Sequence, residues 1–196
     1  MPARRTAGPA VEPITLAEAK LHLRVDLNDD DALITRLITA VREHCERRLR
    51  RTLVDSTWVW TGPRFEAAIA LPWGPLRSVT HVRYLDEAGA EQTVAGATYV
   101  VDEHGTPPRV LLASGATWPA TRPGAPDAVR ITYQAGYGDV VDGPPPAAQG
   151  VPAPLVEWML LQLAHFYDNR SATSAGRLEP LPYADGLLHD YRLIEI

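Results

Sequence analysis

The spacing of apolar residues changes twice along this chain, and the two changes constrain the fold. Between residues 30 and 50, apolar side chains recur every three or four positions, as in an amphipathic helix; they are Leu33, Ile34, Leu37, Ile38, Val41, Cys45 and Leu49. From residue 57 the pattern becomes a series of short β-prone runs separated by Gly and Pro. Beyond residue 154 it is helical again. The sequence therefore predicts an α+β fold: a helical bundle formed by the N- and C-terminal helices, with an inserted antiparallel β module.

A shorter helix is predicted ahead of the long one, at residues 15–25. Thr15 followed three residues later by Glu18 is a capping box, a common helix start. In the acidic run that follows, 26–31, oxygen-bearing side chains occupy alternate positions (Asp26, Asn28 and Asp30), as in a calcium-binding loop. However, Asp31 stands where that loop needs Gly, and Leu37 stands where it needs a bidentate Glu. We therefore interpret the acidic residues as caps at the positive end of the long helix.

The middle of the chain is predicted to be β-rich. Val129, Ile131 and Tyr133 alternate with Arg130 and Thr132, which is typical of a strand with one buried face and one solvated face. Residues 86–90 are predicted to be a hairpin loop. The predicted strands are residues 57–61, 67–71, 79–85, 92–94, 98–101, 109–112 and 128–133.

The C-terminal part begins with a predicted helix at residues 154–168 that is apolar around almost its whole circumference. A helix of this kind is buried on all sides, by its own fold or by neighbouring subunits. Trp158 and Phe166 are therefore candidate oligomer or partner contacts. A last, short amphipathic helix is predicted at residues 185–196, with an apolar side formed by Leu187, Leu188, Tyr191 and Ile194.

These patterns predict how the chain is organised. Residues 1–12 lack periodicity and are expected to form a flexible arm. The other predicted parts are a helical body at 13–54 and 151–180, the β module at 55–142, a Pro-rich linker at 143–150 and a C-terminal tail at 181–196.

Charge and cysteine content narrow the possible functions. The net charge of −5 argues against general coating of nucleic acid, and the middle and C-terminal parts are the acidic ones. The single cysteine, Cys45, cannot form an internal disulfide, which fits a reducing compartment. The sequence contains no signal-peptide pattern and no apolar run long enough for a membrane span. We expect a soluble, intracellular protein.

Arginines cluster at the end of the long helix: Arg42, Arg47, Arg48, Arg50 and Arg51. Cations at a helix C-terminus are favoured by the dipole. Five arginines in ten positions are more than capping requires, so part of the cluster is predicted to face a partner, either acidic protein or DNA phosphate.

No arrangement of residues predicts a catalytic, metal or cofactor site. The six histidines are scattered and lack metal-ligand spacing, and Ser114 lacks the surroundings of a nucleophile elbow. Two alternatives remain open at this level. One is a small hydrolase that uses His104 or His165 with a nearby carboxylate. The other is a ligand-binding β module with an exposed row of Trp58, Trp60, Trp73 and Trp118.

Several short segments between residues 13 and 194 occur in an order and with a spacing that resemble those of a known protein family. In the N-terminal part they are residues 15–20 (TLAEAK), 23–26 (LRVD) and 31–34 (DALI). Later ones are residues 135–139 (AGYGD), 151–152 (VP), 165–170 (HFYDNR), 187–188 (LL) and 191–192 (YR). Together they resemble the head–tail connector proteins of tailed phages, also called adaptors, in the longer branch that carries an inserted β module. Phage-derived gene transfer agents contain a similar part.

The resemblance implies a structural protein of the virion neck, which is in the host cytoplasm before assembly. Such adaptors form a ring, typically of twelve subunits, beneath the portal protein. The ring extends the DNA channel, lets DNA pass without sequence-specific binding and docks the next neck, stopper or tail protein. The family is not enzymatic and has no cofactor.

Two assignments follow for this chain. The tail at 181–196 is expected to reach the portal, with Leu187, Leu188, Tyr191 and Ile194 as anchors. Arg47, Arg48 and Arg51 are expected to contribute to contacts between subunits or with the portal.

Overall fold

The chain folds as two compact units. The computed structural model describes residues 3–138, 140–141, 147–148, 150–170 and 182–193. The helical unit comprises Ala10–Val54 with Tyr137–Ile196, and the β unit comprises Met1–Pro9 with Asp55–Gly136. The α+β architecture predicted from the change of pattern is confirmed.

Three helices form the body of the helical unit: α1 (Leu16–Leu23), α2 (Asp31–Leu49) and α3 (Ala153–Asp168). All three contribute to one apolar core, in which the fully buried side chains include Ala19, Ile34, Val41, Cys45, Leu49, Leu155, Met159 and Leu163. The predicted helical bundle is therefore present. Within the described ranges, every helix falls short of the length and apolar character that a membrane crossing requires.

The two N-terminal helices begin in different ways. The Thr15 hydroxyl accepts the N–H of Glu18 at 3.1 Å, so the predicted cap of α1 is present. Asp30 stands at the cap position of α2, but its carboxylate makes no capping bond. It accepts instead from Tyr167 and Arg170 at the end of α3. Of the acidic residues expected to cap this helix, Asp30 stands at the right position but makes no side-chain cap, because its oxygens accept from Arg170 and Tyr167 instead.

The C-terminal residues do not form the single helix predicted at 185–196. A short helix, α4 (Pro182–Gly186), is followed by a 3-10 turn (His189–Tyr191). Gly is a frequent residue at a helix end because it has no Cβ. Beyond the turn, the N–H of Leu193 donates to the carbonyl of Leu49 on α2, so the backbone leaves the helical path to bond with α2. Ile194 lies outside the described residues.

The β unit contains two antiparallel sheets. The larger has the order β1-β2-β8-β4-β5, and the smaller has the order β3-β7-β6. The strands are β1 (Ala3–Ala7), β2 (Ser56–Gly62), β3 (Ala68–Ala70), β4 (Leu76–Leu85), β5 (Glu91–Thr93), β6 (Tyr99–Asp102), β7 (Arg109–Leu112) and β8 (Val129–Ala135).

The inner faces of these strands form a second core. In β8, Val129, Ile131 and Tyr133 are fully buried and alternate with exposed or half-buried side chains, as their period of two predicts. The Tyr133 hydroxyl donates to the carbonyl of Pro72 at 2.6 Å. A buried phenol thereby keeps its hydrogen bond, which makes its burial tolerable.

Two predictions about irregular segments need correction. The N-terminal stretch is not a free arm, since Ala3–Ala7 pairs with β2 as the edge strand of the larger sheet. An edge strand pairs through its backbone groups and needs no regular spacing of apolar side chains. The composition of residues 1–12 therefore does not reveal the strand. Within the predicted linker at 143–150, Ala147–Ala148 is a strand, β10, paired with β9 (Val140–Val141).

Candidate functional site

The described residues offer little that could support catalysis. No group of three His, Cys, Asp or Glu side chains among them could hold a metal ion. His104 and His165, the candidates for a hydrolase, are both exposed. Burial raises the pKa of the Cys45 thiol to about 12, so this side chain is an unreactive part of the helical core.

The tryptophans of the β unit do not form an exposed row. Trp58 and Trp60 point into the core and are 6% and 7% exposed. Trp73 stacks on Trp58 with ring centroids 5.0 Å apart, and Trp118 stacks on Phe65 at 4.4 Å. These rings stabilise the β unit, which argues against the ligand-binding alternative.

The tail is where the structure brings most of the predicted site residues together. Leu188 is 4% exposed, and Leu187 and Tyr191 are half-buried against the helical core. Three of the four predicted portal anchors are therefore covered, wholly or partly, by the chain itself. The described tail, residues 182–193, packs as part of the helical unit.

Polar contacts tie the described tail to the end of α2. Arg48 forms an ion pair with Asp185. The Arg51 Nε donates to the backbone carbonyl of Tyr191 at 2.6 Å. Two of the three arginines predicted to meet a partner thus bind the described tail of their own subunit. Arg47 is 65% exposed and makes a 3.4 Å ion pair with Glu43, one turn earlier on α2.

The aromatic residues predicted as partner contacts differ in accessibility. Trp158 is 1% exposed and stacks on His44 with ring centroids 5.6 Å apart. This conformation contradicts its predicted role as a contact, because the side chain is almost completely buried in the helical core. Phe166 is half-buried and keeps some exposed area.

Burial in this region holds the pKa of His44 below its usual value, and the nearby Arg48 and Arg47 lower it further. Because burial disfavours the charged imidazolium, the neutral form of His44 is favoured where the ring stacks on Trp158.

Arg42, Glu12 and Glu46 form a buried ion network that was not predicted from the sequence. Arg42 is only 4% exposed; it binds Glu12 at 2.6 Å and Glu46 at 2.9 Å. The other oxygen of Glu46 accepts the N–H of Leu53 at 3.0 Å. The spacing of four between Arg42 and Glu46 was a usable signal. The partner Glu12 was not predictable, since it lies in a segment without periodicity.

The resemblance to connectors rests partly on residues that meet in space. Arg170 of the HFYDNR segment reaches Asp30 at 2.8 Å, and the Tyr167 hydroxyl donates to the same carboxylate. These two donors, Arg170 first, hold the pKa of Asp30 below its usual value. The acidic run before α2 and the segment that ends α3 therefore form one structural contact.

The outer face of the larger sheet carries a groove that no local sequence pattern predicts. Its charged and titratable lining residues are Arg4, His81, Arg83, Glu91, Asp127 and Arg130. They come from four strands and from the residues before β8, so only the strand pairing brings them together.

Similarity to known proteins was found at two levels. The profile of the family described as "Phage gp6-like head-tail connector protein" matches residues 13–91, which extend from the start of the helical unit to β5. The connector resemblance seen in the sequence is confirmed for this part of the chain. No curated protein sequence matches the chain.

Three solved structures share the fold over the whole chain, and each alignment covers 100% of this chain and 97% of the other. A chain from the neck of an empty GTA particle, computed with C6 symmetry, has a TM-score of 0.80 and 24% identity. A chain from the virion of a native gene transfer agent particle has a TM-score of 0.79 and 24% identity. A chain from the neck of a native GTA particle, computed with C12 symmetry, has a TM-score of 0.76 and 22% identity.

Proposed function

We propose that this chain is a structural head–tail connector in the neck of a tailed phage or a gene transfer agent. The observation that carries the proposal is the shared fold: the whole chain superposes on a protein of a gene transfer agent neck at a TM-score of 0.80. The head–tail connector profile over residues 13–91 supports the same role independently.

In this proposal the chain forms a ring around the DNA channel. The neck structures that share its fold were computed with sixfold and twelvefold symmetry, which supports a ring of six or twelve copies. The portal protein on one side and the next neck or tail protein on the other would be its partners. DNA would pass through without tight binding, since phosphate contacts strong enough to hold it would hinder passage.

We further propose that the helical unit presents the contacting side chains. Arg47 and the exposed Leu21 and Leu27, which are 81% and 72% exposed, lie on this unit. Contact with the portal through Leu188 would require the described tail to leave its place against α2, because Leu188 is buried there.

The proposal is tested by locating the chain in purified particles. Labelling the chain with a C-terminal tag and gold-conjugated antibody should mark only the neck, between head and tail. Quantitative mass spectrometry should give six or twelve copies per particle. Label on the head surface or the tail tip, or a copy number far from these values, would refute the role.

A further inference from the structure

The groove on the outer face of the larger sheet contains an arrangement that stability alone does not favour. Arg83 of β4 and Arg130 of β8 are direct cross-strand partners. Like charges at directly opposed positions destabilise a sheet. Glu91 lies between the two guanidinium groups, 3.1 Å from Arg83 and 3.4 Å from Arg130, and Asp127 pairs with Arg130 as well.

The groove keeps an excess of positive charge. Arg4 lies on the edge strand β1, which β2 separates from β8. Its side chain lines the groove, is exposed and forms no ion pair with any residue in the described ranges. With His81 neutral, three arginines face two carboxylates. Arg83 and Arg130 stay 44% and 40% exposed despite their partners, so an incoming group can reach them.

The mixed lining favours a protein over DNA as the occupant. A phosphate backbone presents a uniform row of negative charges, and here it would be repelled by Glu91 and Asp127. A protein segment with one or two carboxylates among neutral groups can pair with the arginines and avoid these acids.

The β unit itself carries such a segment. It has eight arginines and eight carboxylates, so a positive groove leaves an excess of acid elsewhere. Asp102 is the last residue of β6, at the edge of the smaller sheet, and one of its carboxylate oxygens accepts the N–H of Gly105 at 3.0 Å. Glu103 follows it and is exposed. Val100 on the same strand is 54% exposed and adds an apolar contact area.

We propose that the groove binds the Asp102–Glu103 turn of a second copy of this chain. The two surfaces differ, so the contact runs head to tail, which is the kind of contact that closes into rings. The inference rests on the proposed function, because a ring subunit must carry two complementary surfaces.

The test uses the full-length chain in sedimentation velocity at about 50 mM and about 500 mM salt. The groove variant is Arg4→Glu with Arg83→Glu, the turn variant is Glu103→Arg, and Arg64→Glu is the control. Arg64 is an exposed residue of the same unit outside the groove, and its substitution changes the charge in the same direction. Thermal unfolding checks that all variants fold.

We expect wild type to self-associate at low salt and less at high salt. The groove and turn variants should each associate about tenfold more weakly or worse, and the control should match wild type. A one-to-one mixture of the two variants should recover association to within about threefold of wild type, because each reversed surface then meets its complement. Arg4→Glu alone should also weaken association, and it breaks no ion pair among the residues that the structure describes.

Three results would overturn the proposal. One is a wild-type chain that stays monomeric at about 100 μM in low salt. Another is unchanged association of the groove variant, or failure of the mixture to recover. The third is a groove variant that loses binding to duplex DNA while its self-association is unaffected. If the groove variant associates normally and the gold label still marks the neck, only this surface assignment fails and the connector role stands.

Discussion

The guanidinium Nε of Arg51 donates a hydrogen bond to the backbone carbonyl of Tyr191 at 2.6 Å, across 140 residues of sequence. This bond joins the segment that follows α2 to the described tail. Together with the Arg48–Asp185 ion pair and the burial of Leu188, it holds residues expected to meet a partner against their own subunit. The strength of this attachment decides whether the tail can exchange its own helix for another surface.

Removing the Arg51 bond should loosen the tail. Arg51→Met keeps most of the apolar stem and removes the donor, at a cost of about 1.5–3 kcal/mol for a hydrogen bond from a charged group. Amide hydrogen exchange at residues 184–193 should then become about tenfold faster, while α1 and α3 stay protected. Arg47→Met, on the exposed face of α2, is the control and should leave the tail unchanged. Equal exchange in both variants would show that the bond contributes nothing.

The Arg42 network should contribute much more to stability. Arg42→Met removes the buried cation that pairs with Glu12 and with Glu46, which should lower the free energy of unfolding by about 3–5 kcal/mol. Urea unfolding followed by far-UV circular dichroism measures the loss. Breaking the exposed Arg47–Glu43 pair by Arg47→Met should cost less than about 1 kcal/mol. Similar costs for the two substitutions would contradict the assignment of a buried network.

The helical unit should lose stability in mild acid through His44. Its pKa is depressed in the folded state, so the unfolded chain takes up a proton first as the pH falls. The contribution of His44 is fully present above its ordinary pKa of 6.5 and is lost as the pH falls below that value.

His44→Phe keeps a ring against Trp158 and should flatten the pH dependence of the free energy of unfolding as the pH falls below 6.5. The control is a substitution of His22, an exposed histidine on α1. In that variant, the free energy of unfolding should still change more steeply with pH than it does in His44→Phe. The NMR titration of the His44 ring gives a direct check, and an apparent pKa above 6.5 would contradict the assignment.

Cys45 provides a probe of the helical core. Because burial, with a smaller contribution from Glu46, raises its thiol pKa to about 12, maleimide should react only when the core opens. At pH 8 in native buffer, labelling should be at least about a hundredfold slower than in the unfolded chain. Arg36→Cys combined with Cys45→Ser places a thiol on the exposed face of the same helix and should label at once. Equally fast labelling of both thiols would contradict the burial of Cys45.

The elements with a strong apolar period were predictable from the sequence. The helix predicted at 30–50 is α2, and the strand predicted at 128–133 is β8, each within two residues at both ends. Periodicity identifies them because one face is buried while the other is solvated. The strand β1 was not predictable, since an edge strand is held by backbone bonds that any residue can make.

The candidate sites were less predictable than the fold. The sequence could not show whether Trp158 is an exposed contact or a core residue. A helix that is apolar on all sides does not indicate which side meets solvent. Arg42 and Arg47 belong to the same cluster in sequence, yet one is buried and the other exposed. The basic groove depends on the register of β4 against β8, and no local pattern specifies which residues two strands place opposite each other.

The connector role is tested most directly by electron micrographs of particles assembled with and without this chain. Without it, we predict filled or empty heads and complete tails that remain separate, with joined particles restored when the purified full-length chain is supplied. Tailed particles at the normal frequency in its absence would contradict the role.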